Sequence, residues 1–153
     1  MIKVFIPGTP DTHTQQQRKI VWSQHRTYLP KAVQQNKRNL CLYLQSAKHQ
    51  TDDCPWNEPT KLIVRYWFPH PAGKTHSDVW KDTKPDCDNM LKALCDAIER
   101  SGIVVNDSRI VSITVEKRYA AKDHEPGTEI ILTKLSEEVT TDFFISEQKR
   151  KEG

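Results

Sequence analysis

Apolar residues recur along this chain in two rhythms, one suited to strands and one to helices. Residues 1–6 are apolar and β-branched and close at Pro7-Gly8, which reads as a first strand. Lys61 to Phe68 (Lys-Leu-Ile-Val-Arg-Tyr-Trp-Phe) reads as a strong strand ended by Pro69. Ile110 to Arg118 alternates as another, and Thr128 to Thr133 as the last, with Gly127 marking the bend between them. Ala32, Val33, Leu40, Leu44 and Ala47 follow helical spacing loosely and predict a helix from Pro30 to about His49. Leu91, Leu94, Cys95 and Ile98 recur at i, i+3, i+4 and i+7, which predicts a helix over 86–101 stopped by Gly102. Residues 9–30, 51–60 and 69–84 are polar and read as loops. Ile103-Val104-Val105 is a short apolar extension and Asn106-Asp107 a turn. The order is strand, helix, strand, helix, strand, strand. It implies an α+β domain over 1–134, with a small mixed sheet of about four strands and two main helices. Residues 135–153 form a polar tail, relieved by Phe143-Phe144-Ile145, that reads as an accessory helix or a partly disordered end.

The second helix carries more than packing. At 3.6 residues per turn, Asp88, Lys92, Asp96 and Glu99 lie on a polar stripe rotated by roughly 100° from the apolar face, so the stripe borders the core. Asp86 and Asp88 are two residues apart, Lys92 follows one turn later, and Asp107 lies beyond the glycine-marked turn. Three carboxylates and a lysine suit metal-assisted phosphodiester cleavage. Carboxylates are hard oxygen ligands for Mg²⁺, which takes few protein groups and keeps several waters. Such a metal activates water and neutralises developing charge, and a lysine adds a further positive charge there. The same residues also have a purely structural reading. Asp86 would cap the helix, Asp88 would sit well with the helix dipole, and Lys92 would pair with it at i+4. Asn106-Asp107 would then be ordinary turn chemistry, and Asp96 an unremarked helix-edge residue. Spacing alone leaves both readings open.

The charge of +3 over 153 residues is too small to indicate nucleic acid by itself. Its distribution says more: residues 136–153 carry five acidic and three basic side chains, leaving about +5 on the rest. Arg18, Lys19, Arg26, Lys31, Lys37 and Arg38 make the N-terminal third basic. No run approaches the ~18 apolar residues of a membrane-spanning helix, and the apolar start is too short for a signal peptide. Cys41, Cys54, Cys87 and Cys95 show no zinc-ligand spacing, and without a signal they are expected as reduced thiols in the cytoplasm. The six histidines are scattered, mostly in loops, and no Walker loop, GxSxG or GxGxxG occurs. Of the four tryptophans, Trp80 is the one best placed for stacking on a base.

The run Lys84-Pro85-Asp86-Cys87-Asp88-Asn89-Met90-Leu91-Lys92-Ala93-Leu94-Cys95-Asp96-Ala97-Ile98 resembles the signature K-P-D-x-D-N-(apolar)-x-K-x-x-x-D-A-(apolar) of the RusA family of Holliday junction resolvases, endonucleases often carried by prophages. Gly102 to Val111 resembles a second family element, and Phe5-Ile6-Pro7-Gly8-Thr9-Pro10 the end of the family's first strand. The resemblance implies that Asp86, Asp88 and Asp107 bind metal, that Lys92 is catalytic and that Asp96 supports the site. It implies a Mg²⁺-dependent homodimer that cuts two strands of a four-way DNA junction symmetrically, with no small-molecule cofactor and no membrane. Arg18, Lys19, Lys84, Lys117 and Arg118 are then candidates for holding phosphates. Two departures stand out. Asn106 replaces the first Asp of the family's Asp-Asp pair, and Asp11-Thr12-His13-Thr14-Gln15-Gln16-Gln17 replaces the usual basic cluster. The alternative from a different class is a junction-binding protein whose acidic cluster is structural. An enzyme acting on a small phosphate is disfavoured by only five glycines and no phosphate-cradling loop. Leu42, Tyr43, Phe143 and Phe144 are candidates for a dimer contact.

Overall fold

The computed structural model describes residues 1–12, 31–71 and 79–137, and the backbone of 19–21 and 26–28. Strand β1 (Ile2–Pro7) buries Ile2 and Val4 and leaves Lys3 and Phe5 exposed, the period of two that a half-covered strand requires. Two short strands, β2 (Lys19–Val21) and β3 (Arg26–Tyr28), pair as an antiparallel ribbon within the stretch expected to be irregular. Three-residue strands are too short for alternation to show in the sequence. Helix α1 (Lys31–Ala47) follows, buried through Val33, Asn36, Leu44 and Ala47. Then come β4 (Thr60–Phe68), α2 (Cys87–Arg100), β5 (Ile110–Tyr119) and β6 (Gly127–Lys134).

The main sheet runs β1-β6-β4-β5, antiparallel except for the parallel pair β4 and β5. A parallel pair needs a crossover, and α2 supplies it. Both long helices lie on one face. There Leu62, Val64, Leu94, Ile98, Ile130 and Leu132 are sealed from solvent. Each such side chain contributes about 1.5–3 kcal/mol by leaving water. The α+β class and the mixed four-stranded sheet match the sequence reading.

On α2 the buried face is Met90, Ala93, Leu94, Ala97 and Ile98, while Leu91 and Cys95 are only partly covered. The face is therefore turned toward the alanines relative to the predicted one. Small residues let α1 approach closely, and the Cys41 thiol reaches the Ala97 carbonyl at 3.9 Å. Gly102, at φ 76°, ends α2 with its N–H on the Glu99 carbonyl. Gly127 is required by contact, since a Cβ there would lie 2.3 Å from the Phe5 ring.

Two stretches read as loops are firmly tied down. The Trp56 N–H donates to the Ile103 carbonyl and the Val105 N–H donates back to Trp56, joining the 51–60 segment to the turn after α2. Residues 79–81 zip along the outer edge of β5. The Tyr119 N–H donates to Val79, the Lys81 N–H donates to Lys117, and Trp80 bridges Arg118. The tail begins as a 3₁₀ turn, Leu135–Glu137, held by the Leu135 N–H on Pro59, and Phe143-Phe144-Ile145 lies outside the described residues. Among the described residues no helix is long and apolar enough to cross a membrane.

Candidate active site

The parallel pair sends β4 out at its C-terminal end, and the chain re-enters at the start of α2. Open α/β sheets bind ligands beyond the carboxyl ends of their strands. Asp86 is the N-cap residue of α2, in extended conformation, yet its side chain makes no capping hydrogen bond. Asp88, in the first turn, is exposed, and so is Lys92. No ion pair joins Asp88 to Lys92 among the described residues. The structural roles that spacing allowed for these groups, side-chain cap and i+4 pair, are thus not taken up. Asp88 still occupies the first turn, where the helix dipole favours it, but all three charged groups are exposed and accessible to a ligand.

Lys117 defines the other side of this corner. It lies on the helix-facing side of β5, opposite Tyr66. Its ammonium donates to the Thr83 carbonyl at 2.7 Å and to the Pro85 carbonyl at 2.6 Å. Burial pushes the Tyr66 hydroxyl well above its ordinary pKa, and the neighbouring Cys95 and Cys87 thiols add to the shift. Lys81 rests over the Phe68 and Tyr119 rings at 5.0 and 5.6 Å and donates to the Thr83 hydroxyl at 2.8 Å.

Asp107 lies beyond α2, past the Gly102 turn. It opens a 3₁₀ turn, Asp107–Arg109, capped by the Asn106 side chain, which accepts from the Ser108 N–H at 2.9 Å. The Cys95 thiol is pushed up to about 11 by burial first, then by the carboxylates of Asp107 and Asp96. Asp107 therefore shares its surroundings with Cys95 and Asp96. From Asp88 to Cys95 the helix rises about 10 Å. Among the described residues no three His, Cys, Asp or Glu side chains gather closely enough to hold a metal ion. Mg²⁺ takes one or two carboxylates and fills its remaining positions with water or phosphate. The exposed Asp86 and Asp88 fit that demand as a pair of hard oxygen donors.

The expected phosphate contacts separate. Arg18 and the side chain of Lys19 lie outside the described residues. Lys84 is exposed beside Asp86. Lys117 is committed to backbone carbonyls. The Arg118 guanidinium lies 4.4 Å from the Trp80 ring and 5.5 Å from that of Trp67, and donates to Glu116 at 2.8 Å. Arg65 continues this ladder to Glu116 and Glu129 at 3.3 and 2.9 Å, on the face of the sheet away from the helices. Trp80 stays 55% exposed, as a stacking residue needs. The tie from Lys117 has no signature in spacing, because its acceptors are main-chain oxygens.

A two-layer α+β fold with exposed carboxylates, unpaired among the described residues, at a crossover-helix N-terminus defines a class of small proteins with an acidic surface site. Within that class the chain belongs to the family described as endodeoxyribonuclease RusA, whose model matches residues 7–133. The family consists of nucleases that act on Holliday junctions. No curated protein matches the chain.

Proposed function

We propose that this protein is a cytoplasmic homodimer that resolves four-way DNA junctions by Mg²⁺-dependent, paired and symmetric hydrolysis of phosphodiesters. The observation that carries the reading is the pair Asp86 and Asp88, exposed and without side-chain partners among the described residues, in a chain of an endodeoxyribonuclease family. In this reading Asp86, Asp88 and Asp107 hold the metal, with Asp96 in support. When bound, Mg²⁺ supplies an activated water and neutralises phosphoryl charge. Lys92, one turn beyond Asp88, turns its ammonium toward charge developing on the phosphate oxygens. The free amides at the start of α2 favour the same anion. Lys84 and Arg118, with Arg18 and Lys19, hold the flanking backbone by contacts that ignore sequence and weaken with salt. Selection of a junction over a duplex follows from DNA shape and from two sites related by the dimer axis.

The test is cleavage of a labelled synthetic four-way junction, with a linear duplex as control, in Mg²⁺ and then in EDTA. Paired nicks on the junction alone, abolished by EDTA, are expected. One rival is a junction-binding protein without nuclease activity, which needs no three-acid metal cluster, and none is found among the described residues. Tight binding with no nicks over hours selects the rival.

A further inference from the structure

Lys117 is bound to the segment that delivers Asp86 in three successive places. Its backbone carbonyl accepts from the Lys81 N–H at 3.0 Å, and its ammonium donates to the carbonyls of Thr83 and Pro85 at 2.7 and 2.6 Å. The contacts fall on alternate residues, 81, 83 and 85, and the last acceptor immediately precedes Asp86. Charge-assisted bonds of this length are the stronger kind. The lysine itself is fixed in the sheet, because Lys117 pairs in register with Tyr66 of the central strand β4. Among the described residues, Asp86 and Asp88 themselves make no ion pair or side-chain cap that would hold them in place. Their placement relative to the sheet therefore depends on backbone restraints, and Lys117 provides three of them.

We infer that Lys117 is a positioning residue for cleavage, holding the 83–86 segment so that Asp86 and Asp88 present their carboxylates together. It acts through the backbone and does not grip DNA. The inference rests on the proposed nuclease reading. A displacement near 1 Å at a reacting centre costs about 10²-fold in rate, and this sets the expected scale for loss of the tie.

The experiment compares the full chain with Lys117→Met and Lys117→Gln. Five quantities are read: single-turnover cleavage of a labelled four-way junction, the Mg²⁺ concentration for half-maximal rate, junction Kd in EDTA over a salt series, Tm, and amide exchange at residues 87–89. Lys117→Met is expected to cut about 10²-fold more slowly. It should need several-fold more Mg²⁺ and exchange faster at 87–89, with Kd and its salt slope unchanged. Lys117→Gln, which keeps a neutral N–H donor group, should fall between, and it serves if the methionine variant folds poorly. A weaker Kd with a salt slope reduced by about one and an unchanged rate at saturation would make Lys117 a phosphate contact and overturn the inference. Unchanged rate and unchanged exchange would overturn it equally. If wild-type protein cuts no junction, the nuclease reading fails and the catalytic half of the inference fails with it. Faster exchange in the variant would still show the tie to be real, so the two failures are distinguishable.

Discussion

Asp52-Asp53 and Asp86-x-Asp88 are both pairs of neighbouring acids in polar segments of this chain, and the fold treats them in opposite ways. Asp53 accepts from the Thr51 hydroxyl, from Trp56 Nε1 at 2.8 Å and from the Lys134 ammonium. Glu58 stands 3.8 Å from the same ammonium. Lys134 is only 11% exposed at its side chain, so its charge needs these partners. Trp56 lies beneath, 1% exposed. Asp53 stays half exposed, yet its carboxylate is tied to Thr51, Trp56 and Lys134, fixing the 51–60 segment to the end of β6. At the start of α2 Asp86 and Asp88 are exposed, and neither is tied to a cationic or hydrogen-bonding side chain among the described residues. Hydrogen-bond accounting thus separates a structural carboxylate from an available one, where composition cannot.

The comparison breaks most sharply through Asp88. Asp88→Asn removes a proposed metal ligand whose role supplies several kcal/mol of charge stabilisation, so junction cleavage should fall by about 10³-fold or more. Thermal unfolding should move by no more than an ordinary surface substitution, within about 0.5 kcal/mol. If the variant cuts normally while folded, the acidic pair has no part in the reaction. Trp56→Ala tests the other region. Loss of a large side chain from a closed site should lower stability by about 3–5 kcal/mol, read by denaturant titration, while protein that remains folded cuts the junction at the wild-type rate.

Much of this division was legible in the sequence, unevenly and for physical reasons. Elements with long periodic patterns, β1, β4, α2, β5 and β6, fall within one or two residues of where alternation and heptad-like spacing put them. The fourfold polar stripe is exposed at Asp88 and Lys92 and partly covered at Asp96 and Glu99, as expected of an edge beside the core. What stayed hidden were backbone acceptors and short pairings. Lys117 looked like one more basic residue because carbonyl acceptors carry no side-chain signature. Residues 79–81 looked like loop because three residues of edge pairing leave no periodicity. Asp107 could be assigned to a turn, but its position against Cys95 and Asp96 depends on how far the 3₁₀ turn folds back along α2.

A smaller effect sharpens the comparison through acidity. The Lys134 ammonium foremost, then Thr51 and Trp56, hold the Asp53 carboxyl far below the usual carboxylate range. A carboxyl depressed in the folded state stabilises the protein above its unfolded value of about 3.9 and loses that contribution as pH falls through the folded value. The Tm gap between wild type and Asp53→Asn should therefore be constant above about pH 5 and narrow below about pH 4. A gap that stays level down to pH 3 would mean that Asp53 is not held by these donors. The corresponding substitution at Asp88 should show no such dependence on the Lys134 cluster, because the two regions share no residue.

The smallest change addresses the point where the two regions differ least clearly, the turn that carries Asp107. Asn106 caps it by accepting from Ser108, and its amide nitrogen stands 3.5 Å from Glu99 Oε1. Asn106→Asp keeps the acceptor and exchanges a long donor contact for a like-charge one at a solvent-exposed position, which should cost less than about 0.5 kcal/mol. Its consequence for function is more telling than its cost. A new carboxylate beside Asp107 raises the local negative charge. If Asp107 belongs to the metal set, the Mg²⁺ concentration for half-maximal cleavage should drop a few-fold, with the junction Kd in EDTA unchanged. An unmoved Mg²⁺ requirement would place Asp107 beside Asp96 and Cys95 as a supporting group and leave Asp86 and Asp88 as the donors.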